Sequence, residues 1–275
     1  MPVNVPESRV METTEERQKF LDGSQYTQNG ILRYEKIFGE DFISTGGRET
    51  TEEIVATLGL KPGMQVLDVG CGIGGSVFYM AEHFGVIARG VDLSANMLSM
   101  AKQKLDTKYA HLKDRVSFEL ADCLLMEVPE STFDVIYSRD AMLHIADKPT
   151  LFARLYKWLK PGGKLVITDY CHGEKLQHSE EYVKYVKSRN YHLLTVVDYA
   201  HTLEQIFPEV WSDDRTATFI KVLKREVAHL KAHREAFIQD FSEKDYDELI
   251  KGWEAKVVRA SSGDQAWGLF LATKN

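Results

Sequence analysis

Residues 65–75 read Gln-Val-Leu-Asp-Val-Gly-Cys-Gly-Ile-Gly-Gly. Val66, Leu67 and Val69 make a short apolar run with the character of a buried strand, and the run stops at glycines. Residues 76–84 then read as a helix. A strand that feeds a helix through glycines is a place where backbone N–H groups can approach a ligand closely. Gly70, Gly72 and Gly75 also satisfy the G-x-G-x-x-G spacing of dinucleotide-binding turns, which taken alone has low specificity. Asp68 sharpens the reading. A carboxylate two residues before the first glycine repels a pyrophosphate but suits an ammonium or a ribose hydroxyl.

Strand–helix alternation continues beyond the glycines. Residues 86–91 read as a strand ending at Asp92, with Ser94 as cap of a helix over 95–105. Residues 116–120 alternate like a strand and end at Ala121-Asp122-Cys123. Residues 133–138 form a further strand, 150–159 a helix, and Lys160-Pro161-Gly162-Gly163 a turn into a strand over 164–169. Repeated βαβ units predict an α/β fold with a mostly parallel sheet and ligands at the strand carboxyl ends. Asp68, Asp92, Asp122 and Arg139-Asp140 all fall at such ends. Upstream, residues 1–16 read as a polar arm, Ile31, Tyr34 and Phe38 share a helical face, 43–47 form a loop, and 49–58 form a helix. Beyond Tyr170, helices are expected over 179–189, 197–207, 216–241 and 243–260, with strand character returning only at 266–272. The expected organisation is an arm with closing helices over 1–50 and a Rossmann-like core over 51–172. A mainly helical cap with part of the late sheet follows over 173–263, then a strand over 264–275 that rejoins the core.

A net charge of −7 argues against a nucleic-acid partner, whose affinity rests on cationic contacts to phosphates. Cys71, Cys123 and Cys171 are odd in number and far apart, so neither a disulfide framework nor a zinc pair is indicated. Residues 1–10 contain no apolar core of a signal peptide, and no apolar run approaches a membrane span. A cytoplasmic protein is expected, and nothing in the sequence demands a partner subunit, so a monomer is expected. His229 and His233 lie at i, i+4, but with Lys231 and Arg234 beside them and no third ligand they read as a solvated face, and no metal is expected. The basic stretch 221–234, with interleaved apolar residues, could mimic a membrane-surface helix. Glu226 and Glu235 interrupt its charge, so a packed cap helix is the better reading.

Two cofactors suit this frame. Gly70 and Asp92 meet the spacing of a dinucleotide site, yet no hydride-handling pair is visible and Asp68 is badly placed for a pyrophosphate. S-adenosylmethionine carries a sulfonium, an ammonium, a ribose and an adenine, and no phosphate. Asp68 could stabilise the amino-acid end, Asp92 could accept from the ribose hydroxyls and Asp122 from the adenine amine, with Gly70, Gly72 and Cys123 alongside. The run D-x-G-x-G-x-G, the later acids and the Pro-Gly-Gly before the fifth strand resemble class I methyltransferases.

The remaining segments resemble one family. Ser-Gln-Tyr-Thr at 24–27, Tyr-Glu-Lys-Ile-Phe-Gly-Glu-Asp-Phe-Ile-Ser-Thr-Gly-Gly at 34–47, and Ile136-Tyr137-Ser138-Arg139-Asp140-Ala141-Met142-Leu143-His144 resemble the phosphoethanolamine N-methyltransferases. So do Tyr185-Val186-Lys187-Ser188-Arg189-Asn190-Tyr191 and the terminal Trp267-Gly268-Leu269-Phe270-Leu271-Ala272-Thr273-Lys274-Asn275. The resemblance implies that Gln25 and Tyr26 close over the site and that Tyr26 pairs with His144. It implies that Ile43 and Ser44 touch the methionine part of the cofactor, with Arg139 and Asp140 beside it. Tyr34, Tyr170, Tyr185, Arg189, Tyr191 and Lys256 are implied to hold the phosphate of a small phosphobase.

The chemistry of these residue types agrees. A phosphate dianion calls for arginine, lysine and tyrosine hydroxyls, because charge-assisted bonds to it are strong. Methyl transfer to an amine requires loss of a proton from an ammonium whose pKa is roughly 10, and His144, with Tyr26 and Asp140, is the candidate to accept or relay it. Other readings are a methyltransferase for a sterol or quinone, whose site should be apolar, and a non-catalytic S-adenosylmethionine-binding module.

Overall fold

Val66, Leu67 and Val69 are all under 5% exposed, as befits a strand covered on both faces. They belong to β1 (Gln65–Val69), the centre of a computed structural model that describes residues 13–275. The other strands among the described residues are β2 (Ile87–Asp92), β3 (Val116–Leu120), β4 (Phe133–Arg139), β5 (Leu159–His172), β6 (Glu209–Asp214) and β7 (Gln265–Thr273). They form one sheet in the order β3-β2-β1-β4-β5-β7-β6. β1 to β5 pair in parallel, and β7 enters antiparallel between β5 and β6. The order reverses at β1, between β2 and β4, and ligands of doubly wound sheets bind at such switch points. The fold is the class I methyltransferase fold expected from the sequence.

Helices cover both sheet faces. Phe152, Trp158 and Tyr199 pack on one side, and Val77, Phe78 and Tyr109 on the other. A third apolar cluster, with Tyr182, Phe219 and Trp253, is built mainly from the segment between β5 and β7. No helix among the described residues is long and apolar enough to cross a membrane.

Several elements depart from the sequence-based expectation. Of the expected polar arm, residues 1–12 lie outside the described residues. The rest opens the helix Thr14–Phe20, capped reciprocally by Thr13 and Glu16. The expected single helix over 216–241 is two, Thr216–Ala232 and Arg234–Asp240, because the backbone leaves helical geometry at His233. The helix expected over 197–207 ends at Glu204, and β6 follows it unannounced. β6 reads Glu-Val-Trp-Ser-Asp-Asp and pairs on one side only, so its charges shield an open sheet edge and hide the apolar alternation that marks inner strands. The turn expected at 160–163 is absorbed into β5 as an irregularity, the register passing from Phe133↔Leu159 to Val135↔Lys164.

Where the chain leaves β5 and later enters β7, Asp264 joins the two ends. Its buried carboxylate accepts from Ser179 N–H (3.1 Å) and Oγ (2.8 Å), Lys175 Nζ (3.1 Å) and Ser262 Oγ (3.1 Å). Burial pushes its pKa up, but Ser179, Lys175 and Ser262 outweigh this and hold it at about 2. With an unfolded value near 3.8, the carboxylate stabilises the fold fully above about pH 4 and progressively less toward pH 2. Asp264→Ala is therefore expected to cost about 2–3 kcal/mol in urea unfolding at pH 7. That gap narrows when the same comparison is made at pH 3.

Candidate active site

β1 runs into Gly70, whose φ of +76° is left-handed and whose Cβ, if present, would stand 2.2 Å from the Ala141 Cβ. Only glycine fits there. The chain then turns into the helix Gly75–Phe84, with Gly70 and Cys71 N–H both bonded to Val91 O. Over this turn lies a cavity of about 340 Å³. Of the expected cofactor group, Ile43, Ser44, Asp68, Gly70, Gly72, Asp92, Asp122, Cys123 and Arg139 line it, and so do Tyr26, Asp140 and His144. Gln25 stands apart from it. Its Nε2 donates to Arg189 O (3.0 Å) and its Oε1 accepts from Tyr191 Oη (3.2 Å), tying the N-terminal segment to the 189–191 turn.

The cavity wall is acidic at one end. Burial, with Asp92 nearby, raises the Asp68 pKa to about 8 against the opposing pull of Arg139. Asp92 is also raised by burial, although Ser94 and Gly72 N–H bond it, each at 2.8 Å. Two adjoining carboxyls that resist ionisation favour a cationic ligand. Asp122 differs: burial is outweighed by Thr14, Leu124 N–H and Arg17, and its pKa is lowered. Thr14 and Arg17 thereby hold the N-terminal helix against the cavity. Asp22 adds a second hold, accepting from Ser94 Oγ (2.5 Å) and Ala95 N–H (3.2 Å) at the start of the helix Ala95–Asp106. Arg139 lines the cavity, but its guanidinium donates to Gly47 O, Thr51 Oγ1 and Thr45 O, so it mainly fixes the 45–51 turn.

Tyr26 Oη and His144 Nε2 are 3.0 Å apart. The Tyr191 ring lies edge-on to His144, 5.3 Å between centroids. Burial, then the charges of Lys148, His192 and Arg189, push the His144 pKa down to about 3, so its imidazole is neutral at pH 7. Asp140 does not bond His144. Its carboxylate accepts from Thr45 N–H (2.9 Å), Trp267 Nε1 (2.8 Å) and Thr168 Oγ1 (3.3 Å), with φ at +51°.

The expected substrate group adjoins this cavity without lining it. Tyr170 Oη receives a bond from Lys256 Nζ (3.2 Å) and meets Thr45 Oγ1 at 3.1 Å. Tyr185 and Tyr191 rings meet edge-to-face at 5.9 Å, and Tyr34 packs on Trp253 at 5.7 Å. Among the described residues, Arg189, Lys256 and Arg259 have no carboxylate within ion-pair distance. Burial lowers the Lys256 pKa to about 8 against the pull of Glu226, with Arg259 and Arg189 adding to the lowering. A cluster of enclosed cations with no acid in ion-pair contact is costly unless an anion joins it.

Residues that sequence reasoning did not single out complete this frame. Thr45, Trp267, Glu226 and Trp253 each bond across elements far apart in sequence. Glu226 accepts from Gly46 N–H (3.0 Å) and Trp253 Nε1 (2.9 Å), and the Trp253 ring faces Lys256 Nζ at 4.2 Å. Lys148 is buried and donates to Met142 O (2.9 Å), Ile145 O (2.9 Å) and His192 O (2.6 Å), clamping the turn that carries His144. No cluster of three metal-ligating side chains occurs among the described residues. The His229 and His233 rings are tilted to one another, 4.2 Å between centroids.

A family profile described as a methyltransferase domain matches residues 60–244. Phosphoethanolamine N-methyltransferase of Plasmodium falciparum is 41% identical over 93% of this chain and 96% of its own length. The chain belongs to the phosphoethanolamine N-methyltransferase family. Phosphoethanolamine N-methyltransferase 3 of Arabidopsis thaliana is 55% identical over 94% of the chain, which spans about half (52%) of that plant relative. Among solved structures, phosphoethanolamine N-methyltransferase 2 of Haemonchus contortus superposes with a TM-score of 0.90 at 36% identity. The match covers 94% of this chain and 60% of that one, which was solved with phosphomonomethylethanolamine and S-adenosylhomocysteine.

Lys148 offers a direct check on the electrostatics of this phosphoethanolamine N-methyltransferase-family site. Lys148→Met removes a cation that depresses His144, so the imidazole pKa should rise above about 3. Because burial is the larger cause, it should stay below 6.5. An NMR titration of the His144 ring reads this, and an unchanged value would contradict it.

Proposed function

We propose that this chain transfers methyl groups from S-adenosylmethionine to the amine of phosphoethanolamine and of its mono- and dimethyl derivatives, toward phosphocholine. The observation that carries the reading is the cation cluster of Arg189, Lys256 and Arg259. Among the described residues it has no carboxylate within ion-pair distance, and it lies beside an acid-walled cavity at the sheet's switch point. The acids suit a cationic cofactor, the cations suit a phosphate, and the two sets adjoin at Thr45, Asp140 and Tyr170. A sterol or quinone gives the cations nothing to bind.

The donor set fits S-adenosylmethionine. Asp68 is available to its ammonium, Asp92 to the ribose, Asp122 with Cys123 to the adenine, and Ile43 and Ser44 to the methionine chain. When bound, that group supplies an electrophilic methyl on a sulfonium. The protein's part is to hold the acceptor nitrogen in line and exclude water. Tyr34, Tyr170, Tyr185, Arg189, Tyr191 and Lys256 hold the phosphate end, fixing the amine at the opposite end near Asp140. Tyr26 and His144 close over it as a latch.

The amine must also shed a proton. An imidazole with a pKa of about 3 holds a proton poorly. Arg189 is one of the charges that depress it, and a phosphate dianion at Arg189 offsets that charge. His144 thus becomes a better proton relay once substrate is seated. The three cysteines are buried and free, which suits a reducing cytoplasm.

Incubation with S-adenosylmethionine and each of phosphoethanolamine, its monomethyl and its dimethyl derivative, with S-adenosylhomocysteine release as the readout, decides the matter. Turnover of at least one is expected, falling roughly 10²–10⁴-fold in His144→Ala if the proton relay operates. No turnover of any of the three would refute the proposal.

A further inference from the structure

Resting on the phosphobase reading above, we propose that Arg259 is a specificity-determining residue of the substrate pocket. It is the third cation, the one that makes the pocket select a doubly charged phosphate over a singly charged anion. Arg259 is not among the residues that the family resemblance implies. It lies one helical turn beyond Lys256 on the helix Glu243–Ser261, so the two share a face. It is 7% exposed, as is Lys256. Its guanidinium carbon lies 3.7 Å from the centroid of the Tyr185 ring, a ring that Arg189 also faces at 5.8 Å. Two arginines therefore converge on one tyrosine of the expected phosphate group.

A bystander arginine this enclosed should spend its donors on protein acceptors. Arg259 Nε donates to Gln265 Oε1 at 3.3 Å, while Gln265 Nε2 is buried with no partner. No carboxylate lies within ion-pair distance of Arg259 among the described residues. Stacking on Tyr185 fixes the plane of the guanidinium and leaves its charge unneutralised, pointing to an anion as the missing partner. Its charge reaches Lys256 as well, since Arg259 is among the groups that depress that lysine. A monoanion can be matched by Arg189 and Lys256. The second negative charge of a phosphate monoester gives a third cation its purpose.

Phosphoethanolamine and ethanolamine O-sulfate, which has nearly the same shape and one charge fewer on its anionic end, separate the possibilities. For Arg259→Gln we expect the KM for phosphoethanolamine to rise on the order of 10–100-fold, as loss of a charged partner implies. The inhibition constant of ethanolamine O-sulfate should shift only a few-fold, and S-adenosylhomocysteine affinity should not change. Arg259→Lys should recover much of the phosphate preference. A purely structural arginine would weaken both ligands alike, and that result, or an unchanged KM, overturns the assignment. Arg259→Met, which keeps aliphatic bulk against Tyr185, serves for the same comparison if the glutamine variant fails to fold. Failure of the phosphobase reading looks different: the unsubstituted protein would itself show no phosphoethanolamine turnover and no preference for phosphate over sulfate.

Discussion

Enclosed charge of opposite sign, held apart within one site, is the constraint on which the rest of this structure depends. Asp68 and Asp92 end β1 and β2 with their pKa values raised, and Arg189, Lys256 and Arg259 lie nearby with no acid within ion-pair distance among the described residues. If the two groups met, they would neutralise one another and leave nothing to recognise. The fold keeps them on separate elements. Acids come from the parallel strand ends, and cations from helices inserted between β5 and β7 and from the turn at 189–191.

What joins the two sides is polar and uncharged wherever it can be. Tyr170 and Thr45 hydroxyls stand between Lys256 and Asp140, and Asp140 is itself saturated by the Thr45 N–H, Thr168 and the Trp267 indole. Glu226, like Asp140, acts on Lys256, and two donors, Gly46 N–H and Trp253 Nε1, occupy its oxygens. A buried carboxylate already bonded this way shapes the loop over the cavity rather than pairing with Lys256. The N-terminal segment is held at three other points: Asp22 on the helix Ala95–Asp106, the ion pair of Arg17 with Asp122, and Tyr26 on His144.

How much of this was legible in the sequence depends on the range of the interaction. β1 and its glycine turn, the Ser94 cap and the acids at strand ends follow local rules, and the structure has them where those rules put them. β6 was not legible, because an edge strand bearing Glu209, Asp213 and Asp214 lacks apolar alternation. The break at His233 was not legible either, since the apolar period runs through it. At the site, Asp140 and His144 stood out through their motif, whereas Trp267, Glu226 and Arg259 act on partners far away in the chain. Arg259 in particular sits in an amphipathic helix where an arginine looks like surface charge. Only the three-dimensional neighbourhood of Tyr185 distinguishes it.

An anion that completes the cluster of Arg189, Lys256 and Arg259 leaves a thermodynamic signature at Lys256. With its pKa at about 8 in the free protein, this lysine is half protonated at pH 8, and a phosphate beside it restores the proton. Phosphocholine is the right ligand for the measurement, because its quaternary nitrogen has no proton to lose. Calorimetric titration at pH 8 in buffers of different ionisation enthalpy should show about half a proton more taken up per phosphocholine bound than in Lys256→Met, a difference that cancels any proton leaving Asp68 in both proteins. Equal proton exchange in the two proteins, or less uptake in the unsubstituted one, would contradict it.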